Sequence, residues 1–450
     1  MFTYKNNRAA GMGRIGLILG LPFIILVLAF TVYKLFLIDD PEVNGIEALE
    51  VLSADKTVTI TGTNIKDIKI NIYKDGQTVE LLNDAPEYSD KTYTLQIKPK
   101  DLELEDGQAV ISIEASSGLL KKISYEVSAV IDTVPPKLDV LRAPSLIEQG
   151  SAGVAVLRAK DADSVYIKLG DLNFKAYEVE TENDFDNSGE DTDRPRKALL
   201  PTYYAFFPAP HNIEKAGTYY AIAEDSAGNQ KVKSLPTRLK LKEYRTSRIT
   251  IDDSFINTVV ATLLNETDIS DPAGAFKEVN EDWRRKSHDK IMEIADKAES
   301  KVLWDGRFLQ MRNSKVMATY GDRREYVYDG NVISKSAHLG YDLASHAHAP
   351  VEAANTGVII YEGDLSIYGN TVIIDHGLGL MSIYGHLSDI SVEEDEVVQK
   401  GDTIGRTGSS GLAGGDHLHF GVLVNGYEVS PLYWWDSRWL DANILNHLTY

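Results

Sequence analysis

The chain has no cysteine among its 450 residues. This absence excludes disulfides, thiolate metal sites and an anchor on a lipidated cysteine, although it does not identify the compartment. Basic residues are few relative to acidic ones, with 46 Lys and Arg against 67 Asp and Glu and a formal net charge of -21. Because phosphate binding needs clustered Lys and Arg, we expect no nucleic acid partner.

A long apolar run near the N-terminus covers residues 15–38 and is interrupted by a single lysine. About twenty helical residues cross the hydrocarbon core of a bilayer. Three basic residues precede the run and two aspartates follow it, so the positive-inside rule places residues 1–14 in the cytoplasm. No small-x-small cleavage site closes the run. We therefore expect an uncleaved, single-pass membrane anchor rather than a cleaved signal peptide, with the rest of the chain outside the cytoplasm.

Two modules of short strands are predicted after the anchor. Residues 45–132 alternate apolar and polar positions, with Asp75-Gly76 as a hairpin turn. Residues 137–242 follow a proline-rich joint and resemble an immunoglobulin-like module. We expect two small β-sandwiches that act as spacers. The acidic segment 180–193 resembles the opening of a calcium loop, but Pro195 stands where the last carboxylate belongs, so we expect a solvated loop.

Helical periodicity begins near residue 254. We expect a helical segment over 254–305, with a short helix at Phe255–Leu264 and a long amphipathic helix, or two in series, at Ala273–Leu303. Strand patterns and glycine-rich turns return over 308–440. This pattern predicts an antiparallel sheet with a groove across it. The expected fold class is therefore mainly β.

Seven of the ten histidines lie between His338 and His419, in less than a fifth of the chain. His417 and His419 are two residues apart in a predicted strand, so their side chains point to the same face. Asp342 and His386 lie upstream. Two histidine nitrogens and one carboxylate oxygen make a good three-ligand zinc site that leaves a fourth position for water. The pattern predicts a hydrolytic zinc enzyme.

Seven sequence blocks between residues 317 and 436 resemble the lysostaphin and LytM-type zinc endopeptidases of bacterial cell walls. The blocks are Tyr320–Arg324, His338–Ala344, Ala349–Ala354, Gly369–Gly377, Tyr384–Ser388, Lys400–Gly405 and His417–Phe420. The resemblance implies that three residues bind Zn²⁺ and that two further histidines beside the metal are catalytic. The implied metal ligands are His338, Asp342 and His419, and the implied catalytic residues are His386 and His417.

The resemblance departs from the family pattern at Gly421, where many members have glutamate. This difference leaves the metal ligands in place but changes the expected support around them. We assign His417 as general base and His386 as the group that stabilises the oxyanion, but the sequence allows the two roles to be exchanged.

Other candidates near these blocks have less clear roles. His346 and His348 match no ligand position, and we expect them to be solvated or to face substrate. His376 follows an apolar strand and is expected to be structural. Tyr384 could share a strand face with His386 or could pack in the core.

The anchor and the resemblance together predict a zinc endopeptidase held in the inner (cytoplasmic) membrane, with its catalytic domain in the periplasm, that cuts the peptide cross-links of peptidoglycan. The spacer modules would let it reach the wall. The substrate class rests on the resemblance, and the bond cut is not determined. Cell-wall synthesis or division proteins are further candidate partners. Two alternatives stay open: a non-catalytic wall-binding regulator of a separate cell-wall amidase, and a zinc peptidase that acts on proteins.

Overall fold

The computed structural model describes residues 25–30, 33, 39–118, 121–179 and 201–448. The predicted anchor at 15–38 lies largely outside these residues, and the acidic segment 180–193 lies outside them. Among the described residues, no helix is both long enough and apolar enough to cross a membrane. The chain divides into two compact units, residues 1–135 with 226–229, and residues 136–225 with 230–450.

The first unit is built from two antiparallel sheets that share one apolar core, apart from one short parallel pairing at an edge. The three-stranded sheet has the order Glu42–Asn44, Lys56–Thr63, Lys91–Ile97, and the five-stranded sheet has the order Val51–Leu52, Lys122–Ile131, Gly107–Ser116, Asp67–Lys74, Gln77–Asp84. The predicted hairpin turn is confirmed, because Asp75 and Gly76 both have positive φ, at 49° and 82°. Such a turn matches the twist of the strands that it joins. Short 3₁₀ helices occur at Ile46–Leu49 and Pro99–Leu102.

The second unit also begins with a pair of sheets, each of four strands. Their orders are Tyr177–Val179, Thr202–Pro208, Ala152–Lys160, Lys137–Arg142 and Leu172–Lys175, Ser164–Leu169, Tyr220–Glu224, Gln230–Ser234, and a parallel pair joins Leu146–Glu148 to Arg238–Lys240. One face of this module belongs to the same apolar core as the C-terminal sheet. Phe206 packs against Trp434 with ring centroids 6.4 Å apart, and Asn425 donates to the Phe206 carbonyl at 2.7 Å. The second module is therefore part of the C-terminal unit, which differs from the expected free spacer.

Helices follow where the periodicity predicts them, but the long one is shorter than expected. The first helical stretch comprises Asp253–Phe255, Ile256–Val260 and Ala261–Leu264, and the second comprises Pro272–Lys277, Glu278–Trp283 and Arg284–Ala295. The prediction that the second continues to Leu303 is wrong. After Ala295 the backbone pairs with a strand end instead, since Leu303 donates to the His376 carbonyl at 2.9 Å and Leu378 donates to the Glu299 carbonyl at 2.7 Å. Tertiary hydrogen bonds thus replace helical ones.

The predicted C-terminal antiparallel sheet is confirmed, and it has ten strands. Its main path is Lys315–Ala318, Tyr341–Ala344, Leu418–Val424, Leu380–Ile390, Asn370–Gly377, Gly357–Asp364, Val397–Val398, with Pro350–Glu352, Thr403–Thr407 and Tyr427–Val429 paired off this path. A three-stranded sheet, Thr246–Thr250, Arg323–Tyr328 and Asn331–Ala337, completes the strands of the unit. Short helical segments are Ser366–Tyr368, Pro431–Trp435, Ser437–Leu440, Asp441–Leu445 and Asn446–Leu448. The helical stretches cover one face of the ten-stranded sheet.

Candidate metal centre

Three predicted metal ligands converge at the middle of the ten-stranded sheet. Asp342 stands opposite His419 in the register of two antiparallel strands, and His338 lies just before the first of them. Asp342 Oδ1 is 2.9 Å from His338 Nε2 and 3.0 Å from His419 Nδ1, and the two nitrogens are 3.2 Å apart. The strand pairing therefore brings residues 81 positions apart to one point.

The spacing of these three atoms suits a small tetrahedral ion. Zinc bonds to nitrogen and oxygen are about 2.0–2.1 Å, so tetrahedral ligands lie about 3.3 Å from one another. The three observed separations are close to that value. Among the described residues, only His338, Asp342 and His419 bring three such ligand atoms within 4.8 Å of one another. Gly340 makes this approach possible, because a Cβ there would lie 2.5 Å from His419 Nε2.

The two predicted catalytic histidines lie beside this point. The ring centroid of His386 is 4.8 Å from that of His417 and 5.8 Å from that of His419. His417 Nε2 is 3.5 Å from Asp342 Oδ1. Each ring is fixed by its other nitrogen, since His386 Nδ1 lies 2.8 Å from the Ser410 carbonyl and His417 Nδ1 lies 2.8 Å from the Gly415 carbonyl. A carbonyl only accepts, so both Nδ1 atoms carry protons and both Nε2 atoms remain for chemistry.

A β-bulge determines where His386 points. Gly385 and His386 together stand opposite Thr371, and His386 has φ of 64°, in the left-handed region. The bulge breaks the strict alternation of faces. Tyr384 consequently faces the core, where it packs against Phe420 with centroids 5.3 Å apart, while His386 faces the metal point. The hypothesis that Tyr384 shares a face with His386 is wrong, and the packing alternative holds.

Burial and charge set the ionisation of the site. Asp342 is half-buried, which by itself raises the pKa of its carboxyl, but the neighbouring histidines outweigh this effect and hold the pKa well below its usual value. Burial lowers the pKa of His386 to about 3, with His417 and His419 adding to the effect. Burial also acts on His417, but its hydrogen bond to Asp342 and the charge of that carboxylate raise its pKa overall. His386 is therefore neutral near pH 7.

Arg324 is a further residue of the site to which the sequence pattern assigned no role. Its Nη2 lies 3.4 Å from Asp342 Oδ2, the oxygen that faces away from His338 and His419. Its Nε lies 3.8 Å from Asp322 Oδ2, and Asp322 in turn accepts a hydrogen bond from Ser247 at 2.7 Å. The only indication in the sequence that Arg324 belongs to the site is its position in the Tyr320–Arg324 block, one of the blocks that carry the family resemblance. A guanidinium on one carboxylate oxygen orients the other toward a metal.

The position that departs from the family pattern has a steric explanation. A Cβ at Gly421 would lie 2.7 Å from Ile383 Cγ2, so a glutamate would not fit this packing. A buried carboxyl lies on the adjoining strand, where the Tyr368 hydroxyl donates to Glu428 Oε1 at 3.5 Å. The Tyr368 ring packs against His419 with centroids 5.2 Å apart. Tyr368 therefore links the Glu428 carboxyl to the ring of His419.

The remaining histidines lie apart from the ligand atoms. His346 and His348 are exposed in a loop, where His348 Nδ1 lies 3.0 Å from Ser388 Oγ. His376 is fully buried, with Nδ1 2.8 Å from the Thr356 carbonyl and Nε2 2.8 Å from Ser382 Oγ. These contacts agree with the structural role expected for His376.

Comparisons with known proteins identify the C-terminal domain. Residues 336–431 match the model of Peptidase family M23, so the chain carries an M23 domain. The DD-carboxypeptidase/endopeptidase Mpg of Neisseria meningitidis is 41% identical over 95 residues, which are 21% of this chain and 22% of that protein. The peptidoglycan DD-endopeptidase ShyA of Vibrio cholerae is 36% identical over 95 residues, again 21% and 22% of the two chains. The chain thus matches less than a quarter of the length of these relatives.

Among solved structures, the catalytic domain of lysostaphin from Staphylococcus simulans is 28% identical. The alignment covers 27% of this chain and 90% of that chain, with a TM-score of 0.23.

Proposed function

We propose that this chain is a membrane-anchored, zinc-dependent endopeptidase that hydrolyses the peptide cross-links of peptidoglycan in the periplasm. The observation that carries the proposal is the convergence of His338, Asp342 and His419 on one point, with His386 and His417 beside it. The M23 domain and the names of its curated relatives support the substrate class.

The chemistry of the donor set fits zinc. His338 Nε2, His419 Nδ1 and Asp342 Oδ1 would hold the ion, and Asp342 is ionised as a ligand must be. When bound, zinc would polarise the scissile carbonyl and lower the pKa of its water ligand to about 7. The three ligands leave the fourth position of a tetrahedron open, which is characteristic of catalytic rather than structural sites.

The two remaining imidazoles are held in the same way. A carbonyl accepts from Nδ1 of each ring, Ser410 from His386 and Gly415 from His417, so both rings present Nε2 to the reacting atoms. We infer that one of these Nε2 atoms serves the general base and the other the group that stabilises the developing oxyanion. The assignment of His417 as general base and of His386 as the oxyanion group stays a prediction, and the two roles stay exchangeable.

Purified protein incubated with cross-linked wall fragments tests the function. We expect cleavage products in mass spectrometry, loss of cleavage with a chelator, and its recovery on addition of zinc. Zinc-loaded protein that binds the fragments without cutting them would instead support the wall-binding regulator. Cleavage of protein substrates alone would support the third alternative.

A further inference from the structure

A polar groove lies beside the metal centre, between the helical stretch 253–264 and the loop 408–415. It encloses about 530 Å³ and is lined by Phe255, Thr258 and Thr262 on the helical side and by Ser410 and Gly415 on the loop side. This volume is within the range of about 300–1,000 Å³ that is usual for ligand pockets. The helical wall lies outside the residues that match the family model, so the groove is not a feature of the M23 domain alone.

The loop side of the groove is continuous with the catalytic residues. The Ser410 carbonyl accepts from His386 and the Gly415 carbonyl accepts from His417, at 2.8 Å in both cases. One loop therefore holds both imidazoles and also forms the wall of the groove. Ser410 and Gly415 therefore connect the groove to the two proposed catalytic imidazoles.

The loop also offers backbone groups to an extended ligand. The N–H groups of Gly411, Gly414 and Gly415 have no hydrogen-bond partner among the described residues, although the Leu412 N–H donates to the Ile367 carbonyl at 2.8 Å. Gly414 and Gly415 are exposed. Exposed, unpaired main-chain groups are what an extended peptide uses when it pairs with a protein edge.

The helical side of the groove presents hydrogen-bond acceptors and no cation. The Thr258 hydroxyl donates to the Ser254 carbonyl at 2.6 Å and the Thr262 hydroxyl donates to the Thr258 carbonyl at 2.7 Å, so their lone pairs remain available. Asp252 adds a carboxylate at the rim, and no Lys or Arg lines the groove. This wall favours N–H groups, including an amino group, and disfavours a free carboxylate.

The helical wall is held in place by its opposite face. Ile256 and Val260 are buried in an apolar cluster with Phe276, and the Asp253 carboxylate accepts from the Tyr328 hydroxyl at 2.6 Å. A wall anchored in this way keeps the width of the groove constant, so the groove selects by fit as well as by polarity.

We propose that this groove binds the peptide on one side of the bond to be cut: the glycine N–H groups of the loop pair with carbonyls of the peptide, and the helical wall selects segments carrying N–H donors or an amino group over segments carrying a free carboxylate. The inference rests on the proposed function and adds the specificity of the same site. Thr258 and Thr262 of the helical wall are not among the proposed zinc ligands. Filling the groove at these positions should therefore impair substrate binding without removing zinc.

The first test fills the groove with a large side chain. Thr258→Trp and Thr262→Trp, made separately in the full chain, should each raise KM for cross-linked wall fragments at least tenfold while zinc content and kcat stay near wild type. Asn257→Trp is the matched control, because Asn257 is exposed on the same helical stretch and does not line the groove. Two positions are used so that the loss of fold in one variant, seen by circular dichroism, leaves the other to decide.

The second test changes the charge of the wall. Thr262→Lys should raise KM for wall peptides with a free amino group and lower it for the same peptides after succinylation, which replaces the amine by a carboxylate. A wild-type enzyme that cleaves the fragments while all three variants keep its KM values would overturn the groove assignment. If wild type cleaves nothing, the proposed function fails, and calorimetry of the uncut fragments with wild type and Thr258→Trp decides the groove separately: equal affinities would refute it.

Discussion

At the scale of single residues, the site depends on the two oxygens of Asp342. Oδ1 lies within 3.5 Å of His338, His417 and His419, whereas Oδ2 lies 3.4 Å from Arg324. One carboxylate thus links the proposed metal ligands, a proposed catalytic imidazole and the Arg324 guanidinium. His417 brings Nε2 to this carboxylate and His419 brings Nδ1. The proposed functions of these two histidines therefore differ by the ring atom that lies near Asp342.

The pair His417 and His419 gives the sharpest separation of roles. His417→Ala should keep zinc and lose cleavage by about 10²- to 10⁴-fold, the usual effect of removing an acid–base group. His419→Ala should lose both zinc and cleavage, because it removes one of three protein ligands. Metal analysis and rate measurements on the same preparations check this prediction. Equal zinc and equal activity in the two variants would contradict it.

Arg324 should affect metal affinity without touching the metal. Arg324→Gln should weaken zinc binding about 10- to 100-fold, as expected when a partner of a metal ligand is removed. Arg324→Lys should restore part of the affinity, because it keeps the charge but loses the planar donor group. Zinc competition with a chelating dye measures the effect, and the exposed Arg323→Gln is the control. Unchanged affinity in Arg324→Gln would refute the positioning role.

At the scale of secondary structure elements, the strand Asn370–Gly377 carries a buried imidazole that the proposed mechanism does not use. Burial lowers the pKa of His376 from 6.5 to about 4, although the Thr356 carbonyl opposes the shift. The folded protein therefore favours the neutral form of the His376 imidazole. The free energy of unfolding should depend on pH through this residue.

The sign of this dependence can be predicted. Because the folded-state pKa is depressed, the contribution of His376 is present above about pH 6.5 and is lost as the pH falls toward about 4. At about 1.4 kcal/mol per pKa unit, the loss is about 3 kcal/mol in the free energy of unfolding. Denaturant titrations at both pH values should show a smaller pH effect in His376→Gln than in wild type. An identical pH effect in the two proteins would contradict the prediction.

At the scale of the whole molecule, the second β module belongs structurally to the unit that carries the M23 domain. Its residues Ala152, Val154 and Phe206 are fully buried in the core that also contains Trp434 and Tyr384. Deleting the module would expose this face, so it is a support of the M23 domain as well as a connection. Large buried apolar faces are costly to expose to water.

Removal of the metal should affect function and stability together. Chelation should abolish cleavage of wall fragments, and Zn²⁺ should restore it. Because an ion that binds only the folded state stabilises it, the melting temperature should rise with free zinc concentration. Calorimetric scans of wild type and His419→Ala check this, and the variant should show no zinc-dependent rise. A rise of equal size in both proteins would place the ion elsewhere.

Localisation provides a further test at this scale. We expect the full chain in the membrane fraction and a chain lacking residues 1–38 in the soluble fraction, since the apolar run 15–38 is the proposed anchor. Fractionation followed by immunoblotting distinguishes them. Membrane association of the shortened chain at the level of the full chain would show that the anchor lies elsewhere.

Residue types and local periods determined much of this protein in advance. The mainly β fold, the Asp75-Gly76 turn and the C-terminal sheet follow from alternation and turn chemistry, which act between near neighbours. The grouping of His338, Asp342 and His419 was expected from ligand chemistry and resemblance. Their roles as zinc ligands stay a prediction.

Only the tertiary structure decided features that depend on contacts between distant segments. The bulge at His386 reverses the face that strict alternation assigns to it relative to Tyr384, because an extra residue stands opposite Thr371. The helix ends at Ala295 because the following backbone pairs with a distant strand. Arg324 reaches Asp342, and the helical stretch 253–264 faces the loop 408–415, only after the sheets have packed. No local pattern encodes such pairings, since each depends on which segments the folded core brings together.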